Sequence, residues 1–157
     1  MKAIDPALAH RVPPGQVLTE KFPVLTYGGT PRFDPATWSF RCFGLVAREV
    51  SWTWDELLAL PRVRVESDIH CVTTWSRLDN VWEGVSMREI LRHVTPKPEA
   101  KYVLQHAEQG YTTNTSLEDL LSDDVLLALR HDGADLEPDH GGPLRMVLPK
   151  LYFWKSA

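Results

Sequence analysis

The chain has 157 residues, with 17 Lys and Arg against 21 Asp and Glu and a formal net charge of −4. That length supplies the core of one domain, and the acidic balance argues against nucleic acid or an anionic membrane as partner, since both select basic patches. No apolar run approaches the about 18 residues that span a bilayer, and the first twenty residues lack an apolar signal core, so no direct membrane insertion is expected.

As it stands the chain reads as cytoplasmic, and as periplasmic if a leader has been removed. Its two cysteines, Cys42 and Cys71, allow neither a disulfide framework nor a four-thiolate zinc or iron–sulfur site, and no Cys-x-x-Cys-His haem attachment occurs. The histidines are scattered without the i, i+4 pairing of helical zinc sites. A redox enzyme of this composition is expected to carry one redox centre.

Residues 11–37 are rich in Pro, Gly and Thr (Pro13-Pro14-Gly15, Tyr27-Gly28-Gly29-Thr30-Pro31, Asp34-Pro35), which favours extended chain over helix. An N-terminal arm, 1–37, is therefore expected to pack on a single domain, 38–157. Trp38–Leu45 predicts a short strand, and Thr53-x-x-Glu56 is a capping box for a helix that stops at Pro61. Val63–Ile69 alternates apolar or small with polar residues, the period-2 pattern of a strand with one buried face. That strand gives way to a loop at Cys71.

A second box, Ser86-x-x-Glu89, opens a helix over Met87–Val94. Tyr102–Gln105 predicts a strand, Ser116–Leu121 a short capped helix and Val125–Arg130 an apolar strand, with turn chemistry following at Asp132-Gly133. A last strand lies within Gly141–Pro149, fenced by a glycine turn and a proline. Helices so few and short do not make regular βαβ repeats, so the expected class is α+β with a mixed, sheet-rich architecture.

Cys71 is the residue with the most chemistry to offer. A thiolate at a strand end can hold a soft or high-valent metal, and the loop beyond it lets a bulky group approach. A buried cysteine also serves as a small hydrophobe, and that reading fits Cys42 in Phe40-Arg41-Cys42-Phe43. His70 invites a Cys71–His70 hydrolytic dyad, but neighbouring strand side chains point to opposite faces. His10, His93 and His131 read as solvated, and Lys150 and Lys155 as surface cations.

The run Cys71-Val72-x-x-Trp75-Ser76, followed by Trp82-x-Gly84, resembles the cofactor loop of the sulfite oxidase-like molybdopterin oxidoreductases. Within them it resembles the single-domain bacterial branch that includes the catalytic subunit of periplasmic methionine sulfoxide reductase. The resemblance runs from about Pro13 through Ser156. It implies a mixed sheet-rich domain around a pterin whose two dithiolene sulfurs hold molybdenum with one cysteine sulfur, here Cys71, and oxo or hydroxo groups.

The remaining site residues are likewise what the resemblance implies. His140-Gly141-Gly142-Pro143-Leu144-Arg145 is similar to the family's Asn-Gly-x-Pro-Leu-Arg, with Arg145 at the matching arginine and His140 where an asparagine is often found. Pro149–Ser156 is similar to Lys-Tyr-Gly-Phe-Lys-Ser, which implies Lys155 and Ser156 at the pterin phosphate. His106 stands at the separation from Cys71 where the reductases carry a pterin-contacting threonine. Arg77 is the candidate for meeting an anionic substrate, as arginines do in sulfite oxidases. Those enzymes follow their cysteine with Ala-Gly-Asn-Arg-Arg, unlike Val72–Arg77 here, which argues against sulfite. Family members also continue past the matching serine, so a C-terminal tail is expected beyond Ala157.

Together these features imply a molybdopterin-dependent oxidoreductase that moves an oxygen atom to or from a small substrate, sulfur compounds among the candidates. Electrons would pass to or from a separate protein, a haem protein or a membrane subunit. The alternatives are a catalytically inactive pterin-binding or interaction module with the same fold, and a cysteine hydrolase.

Overall fold

A computed structural model describes residues 4–157. In chain order the elements are β1 (Val17–Leu18), β2 (Ser39–Cys42), β3 (Val50–Thr53), α1 (Trp54–Leu58), β4 (Val63–His70), β5 (Trp75–Ser86), α2 (Met87–Val94), β6 (Tyr102–His106), β7 (Thr112–Ser116), α3 (Leu117–Leu120), β8 (Leu126–His131), β9 (Ala134–Asp135) and β10 (Arg145–Val147). The mixed α+β expectation holds.

The main sheet is organised by β5, which is paired along both edges. β4 runs antiparallel to it on one side, with Val65 opposite Trp82 and His70 opposite Ser76. On the other side β1 pairs in parallel with Trp75 and Ser76, and β8 pairs antiparallel with Trp82–Ser86. β10 and β9 extend the sheet from the far edge of β8. Two hairpins, β2–β3 and β6–β7, stand apart from it.

Because strand side chains alternate between faces, the sheet divides the core in two. Leu126 and Ala128 of β8 face a cluster with Ile69, Cys71, Trp75, Trp82, Val147 and Phe153. Leu127, between them, faces the other cluster, with Val85, Met87, Ile90, Leu120 and Met146. The three helices cover this second face, and Cys71 lies on the first.

Local signals account for the helices. Thr53 Oγ1 accepts from Glu56 N–H and the Glu56 carboxylate accepts from Thr53 N–H, a complete capping box. The second box is only half made. Ser86 Oγ accepts from Glu89 N–H at 3.2 Å, but the Glu89 carboxylate turns instead to Arg92 and His93 within the helix.

Strand limits differ from the sequence expectations for physical reasons. β2 stops at Cys42, before Gly44, whose φ of +94° breaks the extended run. Only Arg145–Val147 of the Gly141–Pro149 segment joins a ladder. Two strands carry no alternating apolar signal. β5 is interrupted by Arg77, Asp79 and Asn80, and β7 is all hydroxyl and amide, although its Thr113 and Thr115 are buried.

Trp82-x-Gly84 has a packing explanation. A Cβ on Gly84 would lie 1.9 Å from the Leu127 carbonyl oxygen, so β5 and β8 approach this closely only with glycine there. Gly84→Ala is therefore expected to destabilise the domain by about 3 kcal/mol, read as a lowered midpoint in chemical denaturation. An unchanged midpoint would contradict the close approach.

Candidate active site

Cys71 sits at the base of the turn joining β4 to β5. Cys71 N–H donates to Trp75 O at 2.9 Å and Thr74 N–H to Cys71 O at 3.0 Å, and Thr74 has φ +69°. This is the three-residue hairpin loop whose last residue takes the left-handed region, here a β-branched threonine that other contacts must hold. The arm provides such contacts. Gln16 Nε2 donates to Cys71 O at 3.1 Å, and Val17 N–H donates to Thr74 O at 2.9 Å.

Cys71 is buried, and Thr73 Oγ1 donates to its sulfur at 3.1 Å. His70 turns the other way, its Nδ1 lying 2.8 Å from Ser76 Oγ, which in turn donates to Gln16 Oε1 at 3.3 Å. The hydrolytic dyad therefore lacks its base. Burial also lowers the His70 pKa, against the pull of Asp68.

A cavity of about 210 Å³ opens over this turn. Cys71 and Trp75 line it together with His140, Gly141, Arg145 and Ser156. Phe22 and Tyr27 come from the arm, and Tyr111 and Trp154 complete an aromatic lining. Gln16, Phe22, Tyr27 and Tyr111 are not legible in the sequence as site residues, because an isolated glutamine or aromatic residue in a polar segment carries no spacing signal.

Arg145 is fixed from three directions. Its Nε donates to Ser156 O at 3.0 Å, its Nη1 to His140 O at 2.8 Å, and its guanidinium carbon lies 4.1 Å from the Phe153 ring centroid. Burial pulls its pKa down to about 10, while Tyr111 and Cys71 act to raise it, so it stays charged at neutral pH. Gly141 has φ +95°, and a Cβ there would meet Arg145 Cδ at 3.0 Å. Ser156 Oγ accepts from Leu148 N–H at 3.0 Å, which leaves its own O–H free to donate. The His140 ring stacks on Phe22 at 4.0 Å and 11° between planes, and burial lowers its pKa.

Three of the sequence candidates lie outside this cavity. The Arg77 guanidinium is engaged with Asn80, with Glu20 O and, at 2.6 Å, with Asp132. Lys155 Nζ donates to Asn114 O and Oδ1 at 2.9 and 3.0 Å. His106 lines the neighbouring cavity, close to Phe43. Cys42 lines that same neighbouring cavity, and burial pushes its thiol up to about 11.

His131 corrects a reading. It was expected to be solvated, but it packs on Trp82 at 4.2 Å between centroids and its Nε2 lies 3.0 Å from Asn80 Oδ1. The β5–β8 ladder places it opposite Trp82, beyond the register shift between Glu83 and Gly84.

The donor set fits a molybdenum–pterin group. A buried soft sulfur and the Arg145 cation line one cavity, and the buried Trp75 Nε1 has no acceptor among the described residues. Comparison with known proteins agrees. The model of the oxidoreductase molybdopterin-binding domain matches residues 27–157, and the chain belongs to that family. It is an oxidoreductase domain of the sulfite oxidase-like type, with molybdopterin as its cofactor.

Among its relatives, the uncharacterized oxidoreductase YuiH of Bacillus subtilis is 49% identical over 94% of this chain and 75% of its own length. The putative protein-methionine-sulfoxide reductase subunit YedZ1 of Azospira oryzae is 31% identical over 97% of this chain and 59% of its own. The fold is similar to a chain of the sulfane dehydrogenase SoxCD from Paracoccus pantotrophus, with a TM-score of 0.73 and 22% identity over 82% of this chain and 38% of that one.

The buried His131 generates a pH prediction. Burial takes its pKa from 6.5 to about 4 in the folded state, so the unfolded chain binds the proton first as pH falls. Stability from this residue is present above pH 6.5 and is lost as pH falls toward about 4. His131→Gln should lose less stability than the native chain across that window in denaturation at successive pH values. Equal losses would contradict a buried neutral histidine.

Proposed function

We propose that this domain transfers an oxygen atom between water and a small sulfur-containing substrate, with Cys71 as the protein's ligand to molybdenum. Arg145, His140 and Ser156 anchor the pterin in this reading. The observation that carries it is the buried Cys71, fixed by its turn, in the cavity that Arg145 also lines. When bound, the molybdenum–pterin group supplies the two-electron oxygen exchange.

The chain's own residues hold and shield the reacting centre. Arg145 offers a cation, and Ser156 Oγ and Trp75 Nε1 offer donors, to anionic and polar atoms of the pterin. The Thr73 hydroxyl withdraws charge from the ligand sulfur. Phe22, Tyr27 and Trp154 exclude water and suit an apolar thioether body.

Reduction of a sulfoxide would consume two protons and two electrons and release the sulfide and water. The relative named as a putative protein-methionine-sulfoxide reductase subunit supports both a sulfur substrate and electron exchange with a separate protein. The engagement of Arg77 with Asp132 and Asn80, away from the cavity, disfavours an anionic substrate such as sulfite.

Two variants test the assignments on protein made in a molybdenum-competent host. Cys71→Ser should keep the fold, since the hydroxyl fills the same space, and lose at least about a hundredfold in molybdenum-dependent turnover. Unchanged turnover would remove Cys71 from the mechanism. Arg145→Ala should lower molybdenum per chain by about tenfold with turnover per bound metal largely kept. Collapse of turnover at full occupancy would make Arg145 a substrate residue instead.

A further inference from the structure

The arm reaches the Cys71 turn by a route that its sequence dictates. Pro14 and Gly15 form the centre of a β-turn in which Gln16 N–H donates to Pro13 O at 3.2 Å and Gly15 takes φ +81°, the type II geometry that proline followed by glycine favours. Among the described residues nothing lies within 4 Å of where a Gly15 Cβ would stand, so the glycine serves the backbone angle alone. The turn places Gln16 immediately before β1, where it is only 8% exposed.

Both ends of the Gln16 amide are used. Its Nε2 donates to Cys71 O at 3.1 Å, and its Oε1 accepts from the buried Ser76 Oγ at 3.3 Å. Because the Ser76 hydroxyl spends its proton on Gln16, it accepts from His70, whose Nδ1 lies 2.8 Å away and therefore carries the hydrogen. The four groups form one chain, His70 to Ser76 to Gln16 to Cys71, with every donor pointing toward the Cys71 carbonyl. Aligned hydrogen bonds polarise one another, so the last is strengthened by those behind it.

The turn does not need this amide to close. Cys71 N–H to Trp75 O and Thr74 N–H to Cys71 O close it from within, and the arm backbone holds its far side through Val17 N–H to Thr74 O and Thr19 N–H to Ser76 O. A buried amide is costly unless both ends are paired, and an apolar side chain would fill the same space without that demand. What the amide adds is a second hydrogen bond on the carbonyl of Cys71 itself. The Cys71 sulfur meets the hydroxyl of Thr73, an exposed residue, so the buried hold on Cys71 is at its carbonyl.

We propose that Gln16 is a positioning residue for the molybdenum ligand: by fixing the plane of the Cys71 carbonyl it fixes the direction in which the Cα–Cβ bond presents the sulfur to the cavity. The role presupposes Cys71 as that ligand. A metal–thiolate bond depends on the direction of approach of the sulfur, so loss of the amide alters the ligand geometry while the turn still closes.

Gln16→Met keeps the length of the side chain and removes the donor, and Ser76→Ala breaks the chain one step earlier with the Gln16 amide in place. In metal-free protein, iodoacetamide alkylation of Cys71, measured by peptide mapping against Cys42 in the same sample, should rise by at least about threefold in Gln16→Met and by less in Ser76→Ala. In holoprotein from a molybdenum-competent host, the sulfur-to-molybdenum charge-transfer band should shift and broaden in the same order. A native rate and a native band in Gln16→Met would overturn the proposal, even with a lowered denaturation midpoint, which would leave Gln16 as an anchor of the arm. Should Gln16→Met not fold, Ser76→Ala carries both readouts, and native values there would overturn it. A band that Cys71→Ser leaves unaltered would instead remove Cys71 as the ligand, and the role of Gln16 with it, whatever the alkylation rates.

Discussion

The Cys71 N–H to Trp75 O hydrogen bond closes the turn from which the site is built. It holds only because β5 is fixed along its length. Gly84 lets β5 lie close against β8, and Asp68 accepts from Asp79 N–H at 3.0 Å to stabilise the irregularity between β4 and β5. Arg11 then clamps Asp68 with two hydrogen bonds, of 2.9 and 2.7 Å. The arm thus acts twice on one hairpin, through Arg11 at the bulge and through Gln16 at the Cys71 carbonyl. A strained threonine at φ +69° is tolerated because its neighbours are held from both sides.

Charge around this turn is arranged asymmetrically. Burial keeps His70, His131 and His140 toward their neutral forms, while Arg145 remains a cation despite its enclosure. A half-buried cation without a carboxylate among its hydrogen-bond partners, held instead by two carbonyls and a ring, suits an anionic group brought from outside the chain. Arg77 shows the contrary arrangement, with Asp132 as its ion-pair partner, and it tightens the far end of β5. Two arginines of similar burial therefore have different roles, set by whether the fold supplies the counter-charge.

Much of this was legible in the sequence wherever a short-range rule operates. Thr53-x-x-Glu56 and Ser86-x-x-Glu89 located α1 and α2, and the alternation of Val63–Ile69 located the strand that delivers Cys71. The motifs around Cys71 and Arg145 identified two residues that the fold brings to one cavity from β5's turn and from β10. β5 itself was hidden because a strand buried on both faces and interrupted by Arg77, Asp79 and Asn80 has no period-2 signal. Partners were hidden too: nothing near Arg77 in the sequence shows that Asp132 takes it across the sheet. The contributions of Gln16 and Phe22 depend on where an irregular arm lies, which is decided by tertiary packing.

The central claim is that the Cys71 sulfur is the protein's bond to molybdenum, and X-ray absorption at the molybdenum edge tests it most directly. The native holoprotein should show one more short molybdenum–sulfur contact than Cys71→Ser protein loaded with the same cofactor. Identical sulfur shells in the two proteins would contradict the account and leave Cys71 as a packing residue beneath the cavity.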